Sequence, residues 1–248
     1  MFEEEDLIEL SESVPLNSRV CLNLSGKIIV SDDIEKIKNH FSMITTIFGH
    51  AFDLSKEINL HFEGDSYSGR ANGESNITLG LWNEAIASHE YGHLLLTKNG
   101  LKIEIENGRH LLNLLGSLHE TFADLVAVIT ANDIRYMETV LRETSHMPSR
   151  FYQNGKRPGK LRSFAEKISE QEVNETDTNY KRLAMVKYHI GKKIKDMTQI
   201  EKARYSKKVA DVFTKYYLDA SKNESLIPVK WSTVNKEIIE LLDRGTTP

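Results

Sequence analysis

His89-Glu90-Tyr91-Gly92-His93 places two imidazoles and a carboxylate within five residues. The stretch from Asn83 to Thr97 has a helical pattern and runs out at Asn99-Gly100, a pair suited to a helix C-terminus. Four residues apart on a helix, His89 and His93 share one face about one turn apart. Both can then reach one tetrahedral Zn²⁺, at roughly 2.0–2.1 Å per bond. Glu90 projects about 100° round the helix, close to such an ion but not required as a ligand. A metal there lowers the pKa of a bound water towards about 7, and Glu90 is placed to take its proton. The spacing predicts metal-assisted hydrolysis.

A third ligand has to come from elsewhere. Leu96 and Asn99 occupy the positions where the metzincin pattern requires Gly and His, so that pattern is not met. Further on, Ser117-Leu-His-Glu-Thr-Phe-Ala-Asp124 lies within a helical stretch from His110 to Ala131. Glu120 and Asp124 are four apart and share a face. Phe122, Leu125, Val126, Val128 and Ile129 surround them in sequence, and carboxylates in so apolar a stretch need partners. Glu120 can complete the coordination. Asp124 can accept the free ring N–H of a ligand histidine, which fixes its tautomer and raises its basicity. His119 points about 100° away from Glu120 and reads as packing or surface. His40, His50, His61 and His146 have no partner at ligand spacing and read as structural. Gly92 is a poor helix former, by about 1 kcal/mol relative to Ala, which suggests close backbone approach or crowding by a metal.

H-E-x-x-H followed by a helix with E-x-x-x-D resembles the gluzincins, and among them the thermolysin-like metallopeptidases. The resemblance implies an α+β, zincin-like fold. A small mixed α/β N-terminal lobe and a mainly helical C-terminal lobe would hold the active site between them. It implies one zinc per chain on His89, His93 and Glu120, a catalytic role for Glu90, and Asp124 behind the ligands. Arg70 to Leu79 resembles the edge strand that, in this clan, runs antiparallel to the bound peptide; residues 76–81 also read as an ordinary sheet edge, a role compatible with that one. Main-chain pairing of that kind tolerates many sequences. Thermolysin-like enzymes also carry an Arg in an Arg-Ser-x segment and a His before a later helix, both implied to stabilise an oxyanion. Arg162-Ser163-Phe164 resembles the first. No His stands in Asp177-Thr178-Asn179-Tyr180, so Asn179 or Tyr180 is left to donate the second hydrogen bond. A missing donor costs about 10²–10³ in rate.

Elements must position these groups. Short strands are expected over 26–31, 57–62 and 75–81. A helix over 32–50 has Ile34, Ile37, Phe41, Ile44 and Ile47 on one face. Another is expected over 132–143, and others near 180–195, 200–220 and 233–243. Residues 145–162 read as a loop carrying Arg150, Lys156, Arg157, Lys160 and Arg162 with no acidic residue. The chain reads as a single catalytic unit over 1–248. An α/β lobe (1–98) ends in the H-E-x-x-H helix, and a helical lobe (99–248) carries the third ligand.

Composition sets outer bounds. The 248 residues carry 32 basic and 36 acidic side chains, a formal net charge of −4, which argues against a nucleic-acid partner. Cys21 is the single cysteine, so an intrachain disulfide and a Cys-ligated zinc are excluded. The longest purely apolar run, Leu125 to Ile129, is too short to span a bilayer. The acidic N-terminus lacks the features of a signal peptide. A cytoplasmic location is expected, unless the chain is trimmed or leaves by a signal-independent route. The expected function is a zinc metalloendopeptidase acting on a peptide or protein substrate. Two other readings fit the composition: a zinc-binding regulatory or structural domain with little turnover, and a narrow-specificity protease toxin or effector.

Overall fold

The computed structural model describes residues 8–28, 32–63, 68–102, 108–137, 162–176, 178–222, 228 and 230–244. The fold is α+β. Five strands form one sheet in the order β1-β2-β3-β5-β4, with β1 Ile8–Pro15, β2 Cys21–Ile28, β3 Glu57–Phe62, β4 Gly69–Asn72 and β5 Asn76–Leu79. The β1–β2 and β4–β5 pairs are antiparallel, and β3 is parallel to both β2 and β5. After β5, the described residues form only helices and their connections.

Alternation decides which face of the sheet is inside. Leu22 and Leu24 of β2, Ile58, Leu60 and Phe62 of β3, and Ile77 and Leu79 of β5 are all buried. The opposite face is polar. There Asn23 donates to Asn59 and Asn59 to Asn76, a chain of amides across three strands. Helix α1 (Asp32–Phe48) lies between β2 and β3 in sequence and buries Ile37, Phe41, Ile44 and Phe48. The expected strand at 26–31 instead begins at Cys21, and residues 29–31 lie outside the described ones. Strand β4, Gly-Arg-Ala-Asn, has little apolar content for a pattern to detect, and in β1 Leu10 is buried.

Two helices carry the chemistry. Asn83 caps α2 (Glu84–Lys98) by accepting from the N–H groups of Ala85 and Ile86, and Gly100 follows its end in a left-handed conformation, φ +99°. Helix α3 (Arg109–Ala131) ends at Asn132, itself left-handed at φ 55°. By length and hydropathy α3 could cross a bilayer, but 83% of its most apolar window is buried inside the molecule, where it packs on α2 and other helices. The C-terminal helices are α4 (Glu170–Asn174), α5 (Asn179–Arg182), α6 (Ala184–Ile194), α7 (Gln199–Ser221) and α8 (Trp231–Arg244). The helix expected over 180–195 is broken at Leu183, whose backbone (φ −108°, ψ 30°) is not helical. Residues 138–143 of the expected 132–143 helix, the basic stretch 145–161 with His146, and Asp177 lie outside the described residues.

Candidate metal centre

Gly92 explains how α2 and α3 come close enough. A Cβ at this position would stand 2.6 Å from Ala123 Cα and 3.1 Å from Val126 Cβ, so a side chain there would push the helices apart. With the gap closed, His89 and His93 of α2 face Glu120 of α3. His89 Nε2 is 3.2 Å from His93 Nε2 and 3.2 Å from Glu120 Oε2, and His93 Nε2 is 3.9 Å from Glu120 Oε1. One donor atom from each of the three residues lies within 4.8 Å of the others. Two donors on a tetrahedral Zn²⁺ stand about 3.4 Å apart when each bond is about 2.05 Å. The spacing fits.

The hydrogen bonds behind the histidines point the same way. His89 Nδ1 stands 3.0 Å from Asp124 Oδ1, so the ring donates its N–H there and turns Nε2 towards Glu120. On His93 the partner is His119, whose Nδ1 is 3.4 Å from His93 Nδ1 and whose Nε2 is 3.0 Å from the Leu101 carbonyl. A carbonyl can only accept, so His119 carries its proton on Nε2 and accepts on Nδ1. His93 must then donate from Nδ1, which leaves its Nε2 lone pair free. Glu120 Oε2 is buried without a hydrogen-bond partner among the described residues; the nearby His89 ring is close but not aligned to donate to it. Two nitrogen lone pairs and a carboxylate oxygen therefore converge on one point, a donor set suited to a cation.

The carboxylates around this point favour positive charge there. Burial and the Arg162 guanidinium lower the His89 pKa, but Asp124 and Glu120 outweigh them and raise it to about 9. Burial and the cationic His89 push His93 down to about 3. Burial would raise Glu120, yet His89, His93 and Arg162 hold it at about 2.

Glu90 lies beside this group, 6% exposed, in a cleft of about 570 Å³ lined also by Gly69 to Asn72, Lys102, Gly116 and Tyr180. Burial, with the charge of Glu120, pushes its carboxyl above the usual range, and the Ala71 backbone N–H donates to it. Strand β4 crosses so near that a Cβ on Gly69 would meet Glu90 Cγ at 2.8 Å and Oε1 at 2.9 Å. The sheet edge at the cleft is thus β4, Gly69–Asn72, which overlaps the first part of the expected edge segment Arg70–Leu79, whereas residues 76–79 of that segment form interior strand β5. The hairpin turn at Gly73 (φ +67°) folds residues 69–72 back outside β5, a reversal that periodicity over so few residues does not show.

The expected oxyanion residues separate. Tyr180 lines the cleft, and burial and nearby carboxylates raise its phenol pKa, keeping it a donor. Asn179 does not line it; its amide sits against Gly116 and accepts from Arg182 at 2.5 Å. Arg162 lies behind His89, with Nε 3.0 Å from both oxygens of Asp124, its terminal NH2 also on Oδ1, and its guanidinium 4.3 Å from the Tyr180 ring centre. Burial would keep Asp124 neutral, but Arg162, Lys187 and His89 hold its carboxyl well below the usual carboxylate range.

Two residues of this centre were not anticipated in that role. His119, expected as packing or surface, is buried against His93. Lys187 is wholly buried, with Nζ 2.6 Å from Asp124 Oδ2. Its sequence signal is its place in the stripe Leu183, Lys187, Ile190, Ile194, a lysine where the helix pattern calls for an apolar residue.

No protein-family model matches the chain, and no curated protein matches it. Among solved structures it is similar to the crystal structure of an aminopeptidase N family protein from Idiomarina loihiensis, at 14% identity and a TM-score of 0.43. The similarity covers 93% of this chain and 44% of that one, so this chain spans less than half the length of that protein.

Proposed function

We propose that this chain is a zinc-dependent metallopeptidase of gluzincin type, its residues 1–248 forming one catalytic unit. The observation that carries the reading is the convergence of His89, His93 and Glu120 on one point, with Glu90 beside it in an open cleft. Zn²⁺ held by those three residues would polarise a substrate carbonyl and make water a nucleophile near neutral pH.

The protein's own groups do the rest. The outer edge of β4 offers backbone hydrogen bonds to an extended peptide, which aligns it along the cleft. Glu90 removes a proton from the attacking water and returns it to the departing amine. Tyr180 donates to the oxygen that gains charge as the carbonyl is attacked. Arg162 stays on Asp124 and braces the Tyr180 ring.

Metal content and peptide cleavage test the reading together. Purified wild type should carry about one zinc per chain, and Glu120→Ala should lose it. Glu90→Gln should keep the zinc and lower cleavage of a mixed peptide library by about 10²–10⁴, the usual worth of a general base. Zinc-free wild type after reconstitution, or equal zinc in Glu120→Ala, would overturn the proposal.

A further inference from the structure

Lys187 has no part in the scheme above, yet it is among the largest fully buried side chains of the molecule. Burying an ammonium is costly unless it is paired and hydrogen-bonded. This one has two partners, and both belong to the centre. Nζ donates to Asp124 Oδ2 at 2.6 Å and to the Tyr180 carbonyl at 3.1 Å. The Phe164 ring centre lies 5.9 Å from Nζ.

On Asp124 Oδ2, Lys187 makes the shorter of two contacts, the other coming from Arg162 Nε. His89 Nδ1 faces Oδ1, which also takes the end of the Arg162 guanidinium. A carboxylate can swing about its Cβ–Cγ bond, and Lys187, on the oxygen that His89 does not use, adds to Arg162 in stopping the swing. The same ammonium fixes the backbone of Tyr180, the residue that lines the cleft wall.

We propose that Lys187 is a positioning residue of the metal centre: through Asp124 it fixes the orientation of His89, and through the Tyr180 carbonyl it fixes the cleft wall. The proposal rests on the metal-centre reading. Residues that hydrogen-bond a metal's ligands typically carry 10–100-fold of its affinity, and a lysine acting through Asp124 should share in that range.

The test is zinc affinity, measured by competition with a chromophoric chelator, for wild type, Lys187→Met, Asp124→Asn and the double variant. Thermal melting of each metal-free protein reports folding separately. Lys187→Met should bind zinc 10–100-fold more weakly and shift the visible absorption of the Co²⁺-loaded protein, which reports the geometry of the ligands. In the Asp124→Asn background, Lys187→Met should change the affinity by less than about 2-fold, since a residue that acts through another has no effect once that one is gone. Lys187→Gln, which keeps a shorter uncharged donor, gives the same comparison if Lys187→Met does not fold.

A folded Lys187 variant with zinc affinity within about 2-fold of wild type overturns the proposal. So does an equal loss in both backgrounds, which would mean that the lysine acts independently of Asp124. Failure of the wild type itself to bind zinc would take down the metal centre and this inference together.

Discussion

Helix α2 presents histidine chemistry on two sides, and only one of them opens to solvent. Towards α3, His89 and His93 meet Glu120, Asp124 and His119. Towards α1, Ser88 Oγ is 2.9 Å from His40 Nε2, and His40 Nδ1 is 4.0 Å from Glu84. Serine, histidine and glutamate are the residue types of a nucleophilic triad. Yet Ser88 is wholly buried, and His40 stands edge-on to Phe41 and Trp82. Nothing can reach that serine, so the contact works as a clasp between helices.

Electrostatics separate the two sides as clearly as access does. Burial lowers the His40 pKa to about 4, only weakly opposed by a backbone contact at Glu84. His89 is as deeply buried, but two carboxylates reverse the effect and raise it to about 9. A neutral imidazole suits a core, and clustered anions beside an imidazole suit a cation. The lesson is that residue types are a poor guide until the partners and the opening are known.

The sharpest way to break this comparison is to remove one group from each side. His93→Ala should lose stoichiometric zinc, a larger effect than the 10–100-fold typical of a ligand's hydrogen-bond partner. Ser88→Ala should leave zinc content unchanged and cost about 1 kcal/mol of stability for its hydrogen bond. Metal analysis and urea unfolding of the pair decide it; zinc loss in Ser88→Ala would erase the distinction.

pH gives the next largest contrast. Because His40 has a folded pKa near 4 and an unfolded value of 6.5, the unfolded chain binds the extra proton between those values. Stability therefore falls as pH drops from about 6.5 towards 4, by roughly 3 kcal/mol from this group, with no contribution above 6.5. Other groups also titrate there, so His40→Gln serves as the reference. Its urea midpoint should decline less than that of wild type over the same range, and parallel declines would remove the assigned role of His40.

His119 and Gly92 sharpen the α3 side. His119→Phe keeps a buried ring but removes the acceptor for His93, and chelator competition should show a 10–100-fold weaker zinc site. Gly92→Ala wedges α2 from Ala123 and should cost about 1–3 kcal/mol in urea unfolding. Unchanged stability would show that the two helices have slack at their crossing.

Much of this centre was legible before folding. The i, i+4 spacings of His89 with His93 and of Glu120 with Asp124 follow from helix geometry alone, and both helices form within a residue or two of their expected bounds. The carboxylates stood out because their neighbours are apolar. The expected edge segment Arg70–Leu79 includes most of β4, the true edge, but its division at the Gly73 turn into β4 and interior β5 was not legible, because β4 is four residues long. Lys187 carries a signal as a lysine in an apolar stripe, but its role and that of His119 could not be read, since they depend on contacts with Asp124 and with Leu101 and His93, distant in sequence.

The sequence by itself determined which residues have metal-ligand chemistry and which of them share a helical face, because periodicity is a local property. Tertiary structure decided that the two faces meet, that Arg162 lies behind His89 while Tyr180 lines the cleft, and that Ser88 beside His40 is closed to solvent. Those outcomes depend on how closely α2 and α3 pack across Gly92, a long-range contact that no local pattern encodes.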